Sequence, residues 1–170
     1  APRLLATLHG TRGTIFALTG RYDSALVHHR AAVAAWGRAG SGSSAEAARA
    51  TGHLGSVFRQ MGQFDSALAY HRSQRAMVGA GTSGELGALR ELAHDFEGLD
   101  LRDSALSYHQ ARRELARVRR ESTSSDPVAD AVAESDALES IGQLLLDQGD
   151  AAGADSAFRS ALESYHRGRR

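Results

Sequence analysis

Leu54-Gly55-Ser56-Val57-Phe58-Arg59-Gln60-Met61-Gly62-Gln63-Phe64-Asp65-Ser66-Ala67-Leu68-Ala69-Tyr70-His71 reads as two amphipathic helices joined by a turn. Leu54, Val57, Phe58 and Met61, then Phe64, Ala67, Leu68 and Met77, recur at the spacing of one helix face. Gly62-Gln63 punctuates the two runs, and nothing here alternates like a strand. The tetrapeptide Asp65-Ser66-Ala67-Leu68 has copies at Asp23-Ser24-Ala25-Leu26 and Asp103-Ser104-Ala105-Leu106. Phe16, Phe58 and Phe96 stand at one distance before the repeated Ala, and His28-His29, Tyr70-His71 and Tyr108-His109 at one distance after it. Intervals of roughly 40 residues fall within the range of two-helix solenoid units. A fourth copy is best framed on Gly142, Gly149-Asp150, Ala154, Phe158 and Ala161, out of register with the superficially similar Asp155-Ser156-Ala157-Phe158.

Working outward, Ser43-x-x-Glu46 and Thr82-x-x-Glu85 are capping-box patterns that open helices. Asp126-Pro127 places a cap before a proline at the first helical position. The predicted repeats run approximately 2–40, 43–80, 84–121 and 127–168, forming an all-α, right-handed α-solenoid of about four helix-turn-helix units in one array. Gly13, Gly55 and Gly142 each cost about 1 kcal/mol of helix propensity relative to Ala. Close approach of paired helices is the expected compensation. The final helix has no polar capping face, with Phe158, Leu162 and Tyr165 still seeking neighbours, so a segment of a longer chain is expected, or self-association through open solenoid ends.

These repeat features resemble the tetratricopeptide repeat family, whose pattern is W-x₂-L-G-x₂-Y with later Ala, aromatic and Ala positions. Leu54-Gly55, Phe58, Gly62, Phe64 and Ala67 match it best, followed by Ile141-Gly142, Leu145, Gly149, Ala154, Phe158 and Ala161. Arg12 stands where Leu is usual, Ala93 replaces a Gly, and Asp100 replaces the turn Gly. The long spacing and the Tyr-His pairs are similar to an extended subtype found in spindle-orientation adaptors and in bacterial regulators. The resemblance implies a non-catalytic scaffold, the sensor or adaptor segment of a larger regulator, binding a protein or peptide partner in a concave groove lined by the first helix of each pair.

Composition bounds the chemistry. The chain has 170 residues, Lys+Arg 20 against Asp+Glu 20, and a formal net charge of +0, a poor match to a strongly basic nucleic-acid binder. Every basic residue is Arg, and Asn is absent. Cys is 0, which excludes disulfides, thiolate metal sites and a Cys nucleophile. No run approaches the roughly 20 apolar residues that span a bilayer. Cytoplasmic residence is expected, with the periplasm as the alternative. His29, His71 and His109 share one repeat position, which spreads them along the array instead of converging them as metal ligands must. Gly79-Ala80-Gly81-Thr82-Ser83-Gly84 fits G-x-G-x-x-G only formally, since no strand precedes it. No catalytic residue, metal or cofactor is expected.

Carried over position by position, the resemblance places Arg49, Ser56, Arg59, Gln60, Arg90, His94, Glu97, Glu139 and Gln143 in the groove as partner-binding residues. The expected charge runs from neutral, through a positive middle at Arg49, Arg59, Arg90 and His94, to an acidic end. The family's carboxylate clamp uses Lys and Asn, which this chain lacks. An alternative reading uses Arg113, Arg117 and Arg120, which share a helix face within the cluster Arg112, Arg113, Arg117, Arg119 and Arg120, for repeat-based nucleic-acid binding. Glu114 and Glu121 interleave with that cluster, so a solvated outer face is the plainer expectation.

Overall fold

The computed structural model describes residues 2–40, 45–122 and 126–168. Its eight described helices are α1 (Pro2–Leu18), α2 (Tyr22–Arg38), α3 (Ala45–Gln60), α4 (Phe64–Met77), α5 (Ser83–Gly98), α6 (Arg102–Glu121), α7 (Pro127–Asp147) and α8 (Ala151–Arg167). No strand occurs among the described residues. The architecture is all-α and of helical-repeat solenoid type, as the periodicity predicts. The chain divides into two compact units, residues 1–99 and 100–170, the division falling in the turn between α5 and α6.

Each odd-numbered helix is joined to the next by a three-residue turn, and the middle residue of each turn has positive φ: Gly20, Gly62, Asp100 and Gly149. Glycine enters that region without a Cβ penalty, whereas Asp100 holds a φ of 56° in spite of it. The N–H groups of Arg21, Gln63 and Asp150 donate back to the carbonyls of Phe16, Phe58 and Leu145, each at 2.9 Å. These 6→1 bonds are the Schellman closure that satisfies the last helical carbonyls.

Caps start several helices. Thr82 Oγ accepts from the Glu85 N–H at 3.3 Å, while the Glu85 carboxylate accepts from the N–H of Gly81 at 2.8 Å, one residue earlier than the reciprocal bond of a capping box. Asp126 accepts from Ala129 N–H at 2.9 Å, just ahead of Pro127. The pattern at Ser43 lies outside the described residues. The Gly79–Gly84 segment contains the turn between α4 and α5, as its helical flanks require.

The repeated alanines Ala25, Ala67, Ala105 and Ala154 are all buried. The glycines ahead of them explain the helix pairing. A Cβ on Gly13 would lie 2.7 Å from the His29 ring, one on Gly55 2.5 Å from His71, and one on Gly142 2.7 Å from Phe158. Those positions hold glycine because an aromatic ring four residues after the repeated Ala fills the space a side chain needs. The shared geometry also fixes the fourth repeat in the frame of Ala154, and it gives Phe158 the neighbour that the sequence left open.

In the first unit, Ala25, Leu26, Leu54 and Val57 form a core cluster joined by Phe16, Val33, Phe58 and Tyr70. Phe58 stacks on Tyr70 with ring centroids 5.3 Å apart. Helix α3 neighbours both α1 and α5, so odd-numbered helices make one layer of this unit. In the second unit α7 packs against both α6 and α8, burying Ala137, Leu138, Ile141 and Leu144.

Candidate functional site

Side chains of α1, α3 and α5 set the first unit's candidate face. Arg49 and Gln60 are exposed, and Ser56 and Arg59 are half-buried on α3; Arg90 is exposed, and His94 and Glu97 are half-buried on α5. Helical spacing alone brings these residues to one layer. What they do there depends on Glu91 and Asp95, which the groove assignment omitted.

Arg59 reaches from α3 to α5 and donates to the Glu91 carboxylate at 2.6 Å. Arg90 donates to the other oxygen of Glu91 at 2.9 Å. Burial opposes the charged form of Glu91, yet the Arg59 charge and the hydrogen bonds from Arg90 and Arg59 outweigh it and hold its carboxyl below the usual range. His94 bonds Glu97 at 3.0 Å. The expected positive middle is therefore compensated internally, with Arg59 and Arg90 sharing one acidic partner.

Beneath Glu91 lies Asp95, fully buried, with one oxygen 2.5 Å from His71 Nδ1 and the other 3.5 Å from Arg59. His71 Nε2 faces the Gly52 carbonyl at 3.1 Å. This chain of contacts ties α3, α4 and α5 together. Its signal in the sequence is an acid at position 95, which shares the repeat register of the buried Val57.

Arg49 remains. It makes no ion pair among the described residues, and with His53 it borders a cavity of about 180 Å³ on the α1–α3 face. Glu46, Ala6, Thr7, Gly10, Thr14 and Trp36 are among the residues that line the rest. A Cβ at Gly10 would meet nothing within 4 Å, so the glycine widens the opening. Thr7 and Thr14 donate to the carbonyls four residues back, each at 3.1 Å, which leaves their oxygen lone pairs as acceptors. Burial, and then the Arg49 charge, push the His53 imidazole below its ordinary value although Glu91 opposes them, so Arg49 carries the cavity's positive charge at neutral pH.

His29 shows what its repeat position does without an acid opposite. It is buried, its Nδ1 has no hydrogen-bond partner, and its ring lies 5.1 Å from that of His53. Burial first, then the charges of His53 and His28, push it from 6.5 to about 4. The unfolded chain takes up this proton near pH 6.5 and the folded chain only near 4, so stability falls as pH descends between those values. At pH 4.5 the loss is about 2 kcal/mol. Urea unfolding at pH 7.5 and 4.5 should show His29→Leu losing less stability than the wild type by about that amount. Equal losses would show that His29 does not titrate in this window.

In the second unit, Glu139 is exposed on α7, and Gln143 donates to Asp147 at 3.1 Å. The arginine cluster is largely internal. Arg119 donates to Asp130 at 2.8 Å, Arg120 pairs with Glu134 at 3.2 Å, and the buried Arg112 lies 3.5 Å from Asp136, all three tying α6 to α7. Arg117 is held by Glu114 and Glu121 at 2.6 and 2.7 Å. A solvated outer face describes Arg117; Arg112, Arg119 and Arg120 are interhelical ties. Among the described residues no helix is long and apolar enough to cross a membrane.

Residues 4–77 match the family model described as tetratricopeptide repeat. No curated protein sequence matches the chain. Solved structures that do match include the crystal structure of BtubC (BKLC) from P. vanneervenii, with a TM-score of 0.79 and 18% identity over 98% of this chain. The chain spans 65% of that protein's length, and at such identity the likeness speaks to the fold. Tetratricopeptide repeats generally mediate protein–protein interactions on a typically non-enzymatic scaffold. Residues 4–77, which take in α1 to α4, thus match the tetratricopeptide repeat model, and the eight described helices share the helical-repeat fold of that solved structure.

Proposed function

We propose that the chain is a non-catalytic interaction scaffold that binds a protein segment on the layer formed by α1, α3 and α5, anchored in the cavity beside Arg49. The observation that carries this reading is the Arg49 guanidinium at a cavity it shares with Glu46, in no ion pair among the described residues, next to groove arginines already occupied by Glu91. A guanidinium offers a rigid donor fork suited to a carboxylate. Ala6, Gly10 and Trp36 add apolar surface for an adjoining side chain. The favoured partner is therefore an acidic segment with an apolar neighbour, and an adaptor role within a larger regulator accords with such binding. Of the arginines named for the nucleic-acid alternative, Arg117 and Arg120 are held by acids, which leaves that face less free positive charge than the sequence suggests.

A random peptide library displayed on phage tests the reading. Selection on wild type should enrich peptides bearing Asp or Glu, and Arg49→Glu should weaken their binding by about tenfold or more. Enriched peptides that bind Arg49→Glu as tightly as wild type would overturn the anchor.

A further inference from the structure

His53 stands one helical turn after Arg49 on α3, and both border the cavity of about 180 Å³ on the α1–α3 face. Its ring is half-buried and makes no hydrogen bond among the described residues, so its nitrogens are available to a ligand held by Arg49. An acid at this position would pair with Arg49 and close the anchor from within. The histidine leaves the guanidinium to a ligand and places a titratable donor beside it.

The charges around His53 decide when it holds a proton. From α3 itself come Arg49 and, two turns before His53, Glu46, both at the cavity. From α2 comes the buried His29 ring, 5.1 Å away and neutral until about pH 4. From α5 comes Glu91, already bound to Arg59 and Arg90. The α1 residues at the cavity, Ala6, Thr7, Gly10, Thr11 and Thr14, are uncharged. Burial is the first cause that disfavours the imidazolium and the Arg49 charge the second, while Glu91 opposes them. A ligand carboxylate on Arg49 changes this balance. It cancels the guanidinium that held the proton off and offers the imidazolium a charge-assisted hydrogen bond.

We infer that His53 is the second residue of the anchor and takes up a proton as an acidic segment binds, so that the site holds its partner more tightly in mildly acidic than in neutral solution; this rests on the Arg49 anchor proposed for the same face. In the free protein His53 titrates below its ordinary value, and beside a bound carboxylate it titrates higher. The complex therefore carries more proton than its separate parts, and affinity climbs as pH falls through the interval between the two values. Asp and Glu carboxyls titrate near about 4, so the ligand keeps its charge down to about pH 5.5.

Isothermal calorimetry of the full chain with a display-selected acidic peptide, blocked at both termini and free of His, tests this. Wild type should bind about three- to fivefold more tightly at pH 5.5 than at pH 7.5. At pH 6 its binding heat should differ between MES and imidazole buffers, as proton uptake requires. His53→Gln, which keeps a hydrogen-bond donor and cannot titrate, should bind with one affinity at both pH values and take up no proton, whereas His29→Leu should behave as wild type. A wild type indifferent to pH, or tightening that persists in His53→Gln, overturns the role of His53; the Arg49 anchor still stands if Arg49→Glu loses binding at both pH values. Peptide binding that survives Arg49→Glu, or a library that yields no acidic peptide, overturns the anchor and the part of His53 with it.

Discussion

Ala67→Arg should cost at least about 4 kcal/mol and leave no cooperative unfolding transition at neutral pH. Ala67 is fully buried, as are its register mates Ala25 and Ala105. It lies in the second repeat, where the His71 ring presses on Gly55 closely enough that a Cβ would be 2.5 Å away. Any side chain beyond a methyl must spread α3 and α4, and overpacking of that kind costs about 1–3 kcal/mol. The guanidinium adds a desolvation penalty of several kcal/mol with no partner prepared for it. Urea unfolding followed by circular dichroism gives the answer. A change below about 1 kcal/mol would mean that the repeated alanine is not a tight helix–helix contact.

Asp95→Ala should cost about 3–5 kcal/mol, because it strips a buried imidazole and a half-buried guanidinium of their shared partner. Removing both ends is a different matter. Asp95→Leu with His71→Leu replaces the interaction by apolar groups, and should recover much of the loss. A double-mutant cycle of these substitutions should therefore give a coupling of roughly 2 kcal/mol or more. Additive effects would show that Asp95 and His71 are stabilised separately, and would dissolve the link between α4 and α5 described above.

Much of the fold was legible because repetition multiplies weak signals. One Asp-Ser-Ala-Leu is a chance match, whereas three copies with aromatics at fixed distances define a helix pair, its turn and its closest contact. The Gly13, Gly55 and Gly142 positions were legible for the same reason, and their rings were found where the frame put them. The caps at Thr82 and Asp126 were readable because capping depends on residues three apart in sequence. Ion pairing across helices has no such local code. Arg59 and Arg90 looked available on α3 and α5 because Glu91 becomes their shared partner only when those helices lie side by side. Arg112, Arg119 and Arg120 looked solvated because their acids, Asp136, Asp130 and Glu134, come from the next helix. The cavity at Arg49 depends on Gly10 and Trp36 from two other helices, a juxtaposition no spacing rule supplies.

Trp36 is the chain's only tryptophan, and it lines the cavity beside Arg49. Titrating a display-selected acidic peptide while following Trp36 fluorescence therefore reads occupancy of the proposed anchor site directly. A saturable change in wild type, absent in Arg49→Glu at the same peptide concentrations, is the predicted result. Calorimetric binding of the same peptide that leaves Trp36 emission unaltered, or that persists unchanged in Arg49→Glu, would contradict it.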